Sequence, residues 1–534
     1  MTARLRSIQI NGFKKFKQFN MFFNPHMNII VGENEAGKTT ILEAIKLVLN
    51  QNYRSSDKAY LEELFNKDQV DYFRKNPKLE NLPSIHIELE FELDAKEKNS
   101  EAFYGEHNKF KNAAYGISFS CCFDEESWGN SLDFSEIRDV PYEFYILKWM
   151  NFSGRTYNLL IKPLHFLTLD TSRIDRNSTF NYYNRTVLHS FYKEEELLHK
   201  KHDFRGAVIQ AFEKITDDSR NSQRKFGVDS KKLILDNLVS ILDKGVSLEN
   251  HGSGMENLIK TKISFERANN IDVVLLEEPE NHLSFVNLQK MIDMLIQERE
   301  NMQLIIATHS SMVATRLDLR NVLWITENQA KSLKKIDEKN AKFFIKLARN
   351  SFLQMLLAEK VILVEGITEY LLLPEFYKHI YGHSLQQDNI TIISCEGVSY
   401  KRYLAVTEGT NKWIAVITDN DSNTKIGKHK LEHINALNER YEKERKKYHI
   451  FTSQDKAQWT WEICLYNAGS NRDSLNELIK QWTGKKISSE IEYKELVKQQ
   501  KAEFAYQILE LDLIAQGELK APNYIEEAFK WLKN

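Results

Sequence analysis

Hydrophobic and polar residues alternate along much of the N-terminal part of the chain. The alternation holds in residues 3–31, which then become continuously apolar, and again in residues 84–93. Alternation predicts strands with one solvated face, so we expect two strands in the first stretch and one in the second. Six further short strands are predicted at YGISFSCCF, EFYILKW, YNLLIKPL, IDVVLLEEPE, NMQLIIATHS and NVLWITEN.

The pattern changes at about residue 170 and again near residue 331. RTVLHSFYKEEELLHKKHDFRGAVIQAFEKI and SKKLILDNLVSILDKG have helical spacing with charged faces, so residues 170–246 are predicted to be a helical insertion. Lysine-rich residues 331–350 are the best candidate for a connection between domains. A second α/β series follows with VILVEG, EYLLLPEFYKHI, TIISCEG and WIAVITDND, and further helices run to the end.

Composition sets only broad limits on function. A net charge of −2 over 534 residues gives no electrostatic sign of a nucleic-acid partner. The segment MTARLRSIQI lacks the apolar run of a signal peptide, and no stretch approaches the ~18 apolar residues of a membrane-spanning helix. Cys121, Cys122, Cys395 and Cys464 lack the spacing of a zinc site or disulfide framework. We therefore expect reduced thiols and a cytoplasmic protein without membrane contact.

A phosphate-binding loop is predicted at GENEAGKTT, between an apolar strand and an amphipathic helix. The segment matches G-x-x-x-x-G-K-[ST], in which glycines allow backbone N–H groups to point at phosphate oxygens. Lys38 is expected to reach the β- and γ-phosphates of ATP, and Thr39 to bind Mg²⁺. The predicted nucleotide-binding residues in this loop are Gly32, Asn34, Gly37, Lys38, Thr39 and Thr40.

A partner motif for this loop lies at VVLLEEPE, where an apolar strand carries acids at its carboxyl end. Glu277 is expected to hold Mg²⁺, and Glu278 to orient or deprotonate the attacking water. His309 follows the strand QLIIATHS, where a γ-phosphate sensor is expected. A histidine in such a place is, taken alone, more often structural.

In this order, these motifs resemble the ABC-type ATPase head shared by SMC and RecF-like proteins. The resemblance implies a serine-bearing signature that closes on the ATP of a second subunit, and HGSGM with Ser253 is the best match. HGSGM departs from the usual L-S-G-G-Q, and a flexible turn is the alternative. If Ser253 belongs to a signature, the protein works as a homodimer or a higher homo-oligomer. The insertion has no sustained heptad, which favours a dimerisation element over a coiled-coil arm.

A second acidic site is predicted more than 300 residues downstream. Glu365 ends the strand VILVEG, and Glu369 follows four residues later, where i and i+4 spacing places both on one helix face. Asp419 and Asp421 stand in D-x-D spacing after WIAVITD. Closely spaced carboxylates suit Mg²⁺ or Mn²⁺. Either motif alone is equally consistent with a solvated acidic loop.

This combination resembles the Toprim domain, and a head followed by Toprim resembles the OLD (overcoming lysogenization defect) nuclease family. The resemblance implies that Glu365, Asp419 and Asp421 hold one metal ion. By the same resemblance, Glu369 and Glu462 help to hold a second ion, and Lys501 stabilises charge on the scissile phosphate. The turn SCEGVS has a single glycine where many members are glycine-rich, so substrate approach there is expected to differ.

Basic residues follow the D-x-D in KIGKHK and EKERKKY. They are placed to track a phosphate backbone near the metals. A solvated helix with interleaved glutamates is an equally good interpretation.

The predicted fold is α/β, with an ABC/SMC-like ATPase head, a helical dimerisation insertion and a C-terminal Toprim domain. The predicted segments are 1–168 and 247–340 for the head, 169–246 for the insertion, and 341–534 for Toprim with a helical extension. The predicted function is a metal-dependent DNA endonuclease whose activity is gated by the ATPase. The resemblance also implies an anti-phage effector with a helicase or reverse-transcriptase partner.

Three alternatives remain at this point. They are a RecF- or SMC-like DNA-repair ATPase with a non-catalytic Toprim domain, a Toprim nuclease that acts on RNA, and a nucleotide-sensing scaffold whose activity resides in a partner.

Overall fold

The computed structural model divides the chain into two compact units, Met1–Lys335 and Ile336–Asn534. It describes all residues except 1–2, 34, 52–57, 97–99, 130–136, 160, 171–187, 189–191, 193, 217–227, 230–234, 236–237, 267–270, 299–301, 326–328, 335–353, 356–357, 396–398, 408–411, 425–426 and 534. The division falls within the lysine-rich stretch that the sequence suggests as a connection. The bounds of the four segments given above remain predictions.

Both units contain strands and α-helices. The strands are β1 (Arg4–Phe13), β2 (Phe16–Phe22), β3 (Met27–Val31), β4 (Ile85–Glu92), β5 (Tyr104–Gly105), β6 (Ala114–Phe123), β7 (Tyr145–Asn151), β8 (Phe166–Asp170), β9 (Leu242–Asp243), β10 (Val246–Ser247), β11 (Val273–Glu277), β12 (Gln303–Ala307), β13 (Val322–Ile325), β14 (Ala330–Ser332), β15 (Lys360–Val364), β16 (Ile390–Ser394), β17 (Trp413–Ile417) and β18 (Tyr448–Phe451).

The α-helices of the first unit span Lys38–Asn50, Lys67–Lys75, Glu125–Trp128, Glu194–Thr216, Ser253–Glu266, Phe285–Glu298 and Ser311–Arg316. Those of the second unit span Ile367–Tyr381, Tyr400–Val406, Lys430–Lys443, Trp461–Asn467, Asn471–Thr483, Glu490–Gln499, Lys501–Glu510 and Asn523–Lys533.

Two sheets form most of the first unit. In the antiparallel sheet the order is β2-β1-β4-β6-β5, with β7 also paired to β6. The other sheet has the order β14-β13-β3-β12-β11-β8 and is parallel except at β14. Helix Lys38–Asn50 supplies buried residues to one core that also takes residues from both sheets, including Ile45, Ile87 and Val273. The helix that follows the phosphate loop is thereby fixed by burial of its apolar face.

The second unit is built on a four-stranded parallel sheet of order β16-β15-β17-β18. The chain runs from β15 outward to β16, then crosses back to β17 on the other side of β15. Strand order reverses between β15 and β17, and ligands of open α/β sheets bind at the carboxyl ends of strands beside such a reversal. The topology therefore places the end of VILVEG beside the end of WIAVITD.

Several predicted elements differ from the structure. Residues 3–31 form three strands instead of two, because the chain turns after Phe13. The described residues of YNLLIKPL, all but residue 160, do not form a strand, and the neighbouring strand is β8. The end of SKKLILDNLVSILDKG enters a hairpin of β9 and β10, in which Lys244 and Gly245 make the tight turn with positive φ values of 50° and 83°. The sequence pattern did not predict β18, although YHIF is largely apolar and lies in parallel register beside β17.

Candidate metal and nucleotide sites

Acidic residues of the second unit meet where β15 and β17 end. Val364 is in register with Ile417, so Glu365 and Thr418 leave the sheet side by side. The Thr418 hydroxyl donates a hydrogen bond to Glu365 Oε1. Asp419 is held one residue further on, since its Oδ1 accepts the Trp461 backbone N–H at 2.7 Å. Parallel register thus brings together acids that are 54 residues apart in sequence.

The D-x-D loop is fixed by the residue between its aspartates. Asn420 is fully buried, and its side-chain amide donates to the carbonyl oxygens of Ser453, Asp455 and Gln458 at 2.8–3.2 Å. Its Oδ1 accepts from the backbone N–H and hydroxyl of Ser422. The flanking aspartates are therefore tied to the loop that follows β18. Sequence reasoning treated Asn420 only as the variable position.

Glu369 and Glu462 form a second, more deeply buried part of this acid cluster. Both lie in first helical turns, Glu369 in Ile367–Tyr381 and Glu462 in Trp461–Asn467, and both are less than a tenth exposed. Lys501 Nζ lies 2.5 Å from Glu462 Oε1. The helix that carries Glu369 begins at Ile367, so Glu365 lies before the helix. The prediction that Glu365 and Glu369 share a helix face is therefore wrong, although both belong to the cluster.

Burial and mutual repulsion act on the acids of the cluster. Burial raises the pKa of Glu369 to about 7, with Glu462 and Glu365 adding to the effect. Burial also raises the pKa of Asp419 well above its ordinary value, and the charges of Glu365, Glu369, Glu462 and Asp421 raise it further. For Lys501, burial alone would lower the pKa, but the carboxylates of Glu462, Glu369 and Asp419 together outweigh burial and the net shift is upward.

Lys430 supplies a positive charge to the more exposed part of the cluster. Its Nζ lies 2.6 Å from Asp421 Oδ2 and 3.7 Å from Glu365 Oε1. Asp421 has a positive φ of 50°, and the loop after it returns so tightly that a Cβ on Gly427 would lie 1.9 Å from the Asp421 carbonyl oxygen. Helix Lys430–Lys443 therefore begins beside Asp421 and Glu365.

The donor set fits divalent cations in chemistry and in charge. Five carboxylates (Glu365, Glu369, Asp419, Asp421 and Glu462) face two ammonium groups (Lys430 and Lys501), so the fully ionised cluster carries a net charge of −3. Hard oxygen ligands of this kind suit Mg²⁺ or Mn²⁺. Within the described part of the chain, no three acidic, histidine or cysteine side chains already converge at metal-binding distance. Lys430 and Lys501 form ion pairs with Asp421 and Glu462 instead.

The phosphate loop of the first unit lies between β3 and helix Lys38–Asn50. Gly37 caps this helix with φ 101°, and a Cβ there would lie 2.3 Å from the Phe16 ring. Lys38 Nζ donates to the carbonyl oxygens of Gly32 and Glu33, both at 3.1 Å. Thr39 is exposed and Thr40 is buried, so of the two threonines only Thr39 presents its side chain to solvent. Asn34 lies outside the described residues.

Lys38, His309 and Glu278 form a short polar chain. His309 Nδ1 lies 3.4 Å from Lys38 Nζ, and its Nε2 lies 3.3 Å from Glu278 Oε1. Burial and the nearby Lys38 charge lower the pKa of His309, which favours a neutral ring that accepts at Nδ1 and donates at Nε2. Burial, together with Glu280, raises the pKa of Glu278 well above its ordinary value. The structure therefore brings three predicted nucleotide-site residues together.

Glu277 and Glu280 complete the acidic end of β11. Glu277 is buried, and Lys46 Nζ lies 3.7 Å from its Oε2. Glu280 Oε1 accepts hydrogen bonds from the Thr308 hydroxyl and from the backbone N–H groups of His309 and Ser310, at 2.5–3.1 Å. Glu280 thus ties the loop after β11 to the loop that carries His309. Sequence reasoning passed over both Lys46 and Glu280, although the third acid of EEPE was a visible signal.

Ser253 begins helix Ser253–Glu266, and the position of its side chain is not described. The neighbouring Gly254 packs against the loop after β11, where a Cβ would lie 2.2 Å from the His282 carbonyl oxygen. The segment HGSGM is therefore adjacent to that loop, and the signature role of Ser253 stays a prediction.

Comparisons with known proteins fit this pairing of sites. Residues 27–314, more than half of the chain, match the family model described as "AAA domain, putative AbiEii toxin, Type IV TA system". Residues 356–421 match "Overcoming lysogenization defect protein-like, TOPRIM domain". The class is thus an ATPase head followed by a Toprim domain. The chain belongs to the family of that AAA-domain model, and it carries an OLD-like Toprim domain after the ATPase domain.

Individual relatives are more distant. RecF of Lactococcus lactis subsp. lactis is 27% identical over 110 residues, 20% of this chain and 28% of RecF. RecF of Listeria monocytogenes EGD-e is 28% identical over 109 residues, so the chain spans about a quarter of these relatives. The C-terminal region of the Burkholderia pseudomallei OLD protein is 20% identical, covers 33% of this chain and 97% of its own, and has a TM-score of 0.27.

No described helix combines the length and apolar character needed to cross a membrane.

We predict that Asn420→Asp destabilises the second unit by about 3 kcal/mol or more, because it replaces a buried donor by a charge that faces three carbonyl oxygens. Urea unfolding of the intact chain measures this change. Asn435→Asp, on the exposed face of helix Lys430–Lys443, is the matched control and should change little. Wild-type stability in Asn420→Asp would contradict the assigned contacts.

We predict that Asp419→Asn raises the melting temperature of the metal-free protein at pH 7–8. The raised pKa means that the folded state holds the Asp419 proton more tightly than the unfolded chain, so ionisation costs stability as pH rises from the usual aspartate range of about 4. A gain of about 1 kcal/mol corresponds to ~2–4 °C for a unit of this size.

The gain in Asp419→Asn should shrink as pH falls toward 4, where the wild-type carboxyl is also neutral. Differential scanning calorimetry across pH, with EDTA present, gives the comparison. A variant that melts below the wild type at pH 8 would show that the carboxylate is not under repulsion.

Proposed function

We propose that the protein is an ATP-binding, metal-dependent DNA endonuclease whose cleavage activity is controlled by its ATPase head. The observation that carries this proposal is the acid cluster at the strand-order reversal, where five carboxylates share two lysines. A structural ion-pair network would balance its charges. Excess negative charge at a cleft edge is instead typical of a site that takes up divalent cations.

The proposed roles of the acids are those that the resemblance to OLD nucleases implies. Glu365, Asp419 and Asp421 are the proposed ligands of one ion, and Glu369 and Glu462 help to hold a second. When bound, two such ions activate a water molecule and stabilise both the attacking and the leaving oxygen of a phosphodiester. Lys501, already within 2.5 Å of Glu462, is placed to neutralise charge that builds on the phosphate.

Supporting side chains keep the acids oriented for this task. The Thr418 hydroxyl directs Glu365, the Trp461 N–H directs Asp419, and Asn420 fixes the loop between the aspartates. One carboxylate oxygen of Glu365 and one of Asp419 therefore already accept a hydrogen bond from the protein. Such fixed outer contacts typically contribute about 10–100-fold to metal affinity or activity.

The head provides the proposed nucleotide control. Lys38 bonds to two loop carbonyl oxygens, and ATP phosphates are the natural replacement for these partners. Thr39 and Glu277 are the proposed Mg²⁺ ligands, Glu278 the proposed base and His309 the γ-phosphate sensor. Glu280 accepts a hydrogen bond from the backbone N–H of His309. A shift of that histidine toward phosphate would therefore also move the loop after β11, which carries Glu280. Ser253 of a second copy is the proposed closing residue.

Cleavage of supercoiled plasmid DNA with Mn²⁺ or Mg²⁺ tests the proposal. Asp419→Ala should lower the rate by more than about 100-fold, since changes behind the ligands already cost about 10–100-fold. Asp473→Ala, an exposed carboxylate on helix Asn471–Thr483, should cut like the wild type. Adding ATP, and comparing Lys38→Ala, shows whether nucleotide inhibits or permits cutting.

Other outcomes of this assay favour different functions. Equal loss of cutting in Asp473→Ala would show that the defect is not specific to the acid cluster. Cleavage of RNA of the same sequence but not of DNA would favour the RNA nuclease. Absence of cleavage in the wild type under every condition would favour a binding platform or a scaffold.

We also propose a role in anti-phage defence, with a helicase or reverse transcriptase as partner. The support is the family: the matched models are named for a toxin–antitoxin toxin and for overcoming lysogenization defect. Expression of the complete operon in a permissive bacterial host should reduce phage plating, and Asp419→Ala should abolish the reduction. Equal plating with and without the wild-type operon would contradict this role.

A further inference from the structure

We propose that Lys430 serves two partners in turn: the carboxylates of Asp421 and Glu365 in the metal-free protein, and a phosphate of the substrate backbone once cations are bound. The inference rests on the proposed function, and it adds a substrate-contacting residue to the site. Its basis is the position of the Lys430 ammonium group between the two most exposed acids of the cluster.

Distances show that Lys430 takes the place of a cation. Its Nζ is in hydrogen-bond contact with Asp421 at 2.6 Å and within ion-pair range of Glu365 at 3.7 Å. Both acids belong to the set proposed for one metal ion. An ammonium group in this position and a divalent ion compete for the same oxygens, so uptake of the ion requires Lys430 to leave.

The helix dipole does not explain the presence of a lysine at position 430. Lys430 is the first residue of a 14-residue helix, where the positive end of the helix dipole disfavours a cation. Lys501 is likewise the first residue of its helix, and it too points at a carboxylate of the cluster. In both cases the acids, and not the helix, supply the favourable interaction.

The neighbourhood of Lys430 favours phosphate as its second partner. The Lys430 side chain is about a quarter exposed, and so it can swing outward from the acids while it remains at the rim of the site. Its position is fixed by the tight loop that ends at Gly427, whose N–H binds Thr424. A lysine released beside a metal-bound phosphodiester meets the negative charge of the backbone, which it contacts as a point charge.

The first test measures Mn²⁺ binding by calorimetry, without nucleotide or DNA. Lys430→Met removes the competing ammonium group and should tighten Mn²⁺ binding by about two- to fivefold, the equivalent of a partly exposed ion pair. Lys430→Arg should bind like the wild type or more weakly. Lys480→Met, at an exposed lysine on helix Asn471–Thr483, is the matched control.

The second test measures DNA affinity against salt concentration with Ca²⁺ in place of Mg²⁺. Lys430→Met should weaken binding and reduce the slope of log Kd against log salt by about 0.9, which corresponds to one lost phosphate contact. Lys430→Arg should keep the wild-type slope, and Lys480→Met should keep it as well. A residue with only a structural role would not change this slope.

The outcomes separate the parts of the inference. Unchanged Mn²⁺ affinity in Lys430→Met overturns the counter-ion role, and an unchanged salt slope overturns the phosphate contact. A wild-type protein that binds Mn²⁺ and DNA but never cuts would refute the proposed nuclease, while both measurements on Lys430 would still stand. Thermal melting of each variant verifies that the fold is intact.

Discussion

Carboxylates at the ends of β15 and β17 repel one another, and the contacts around them in the second unit offset this repulsion. The parallel register of these strands, and the return of the chain between them, place Glu365 beside the D-x-D loop. Folding gathers five acids in a partly buried place, which raises the pKa of Asp419 and Glu369. The fold tolerates this cost because individual carboxylate oxygens bind protein donors. These donors are the Trp461 N–H, the Thr418 hydroxyl and the ammonium groups of Lys430 and Lys501.

The ATPase head follows the same principle with different residues. Lys46 faces the buried carboxylate of Glu277, and Lys38 is satisfied by the carbonyl oxygens of its own loop. Glu278 and Glu280 lie close enough to raise the pKa of Glu278, and Glu280 is held by three donors from residues 308–310. Each unit therefore holds an acidic strand end whose charges are incompletely balanced by protein groups alone.

Much of this arrangement is visible in the sequence, because motifs at strand ends combine local pattern with known spacing. GENEAGKTT, VVLLEEPE and VILVEG occur at the ends of apolar runs, and the parallel sheets follow from the alternation of strands and helices.

Errors arise where the hydrophobic pattern of the sequence is ambiguous. YNLLIKPL has strand-like residues, but its described residues do not form a strand. LDKGVS forms a hairpin because the positive φ values of Lys244 and Gly245 make a tight turn. Contacts between distant segments were beyond local pattern: Asn420, Glu280, Lys46 and Lys430 are ordinary polar residues whose importance comes from partners elsewhere in the chain. The basic run that contains Lys430 is equally consistent with a solvated helix, and only the tight loop at Gly427 aims its ammonium group at the acids.

The central claim is that the acid cluster is a site for two divalent cations. Counting bound Mn²⁺ by electron paramagnetic resonance, on the intact chain without nucleotide, tests it most directly. We expect two ions per chain, close enough to broaden each other's spectrum, with binding lost in Asp419→Ala and one ion lost in Glu462→Gln. A wild-type chain that binds no Mn²⁺, or an Asp419→Ala variant that binds as many ions as the wild type, would contradict the account.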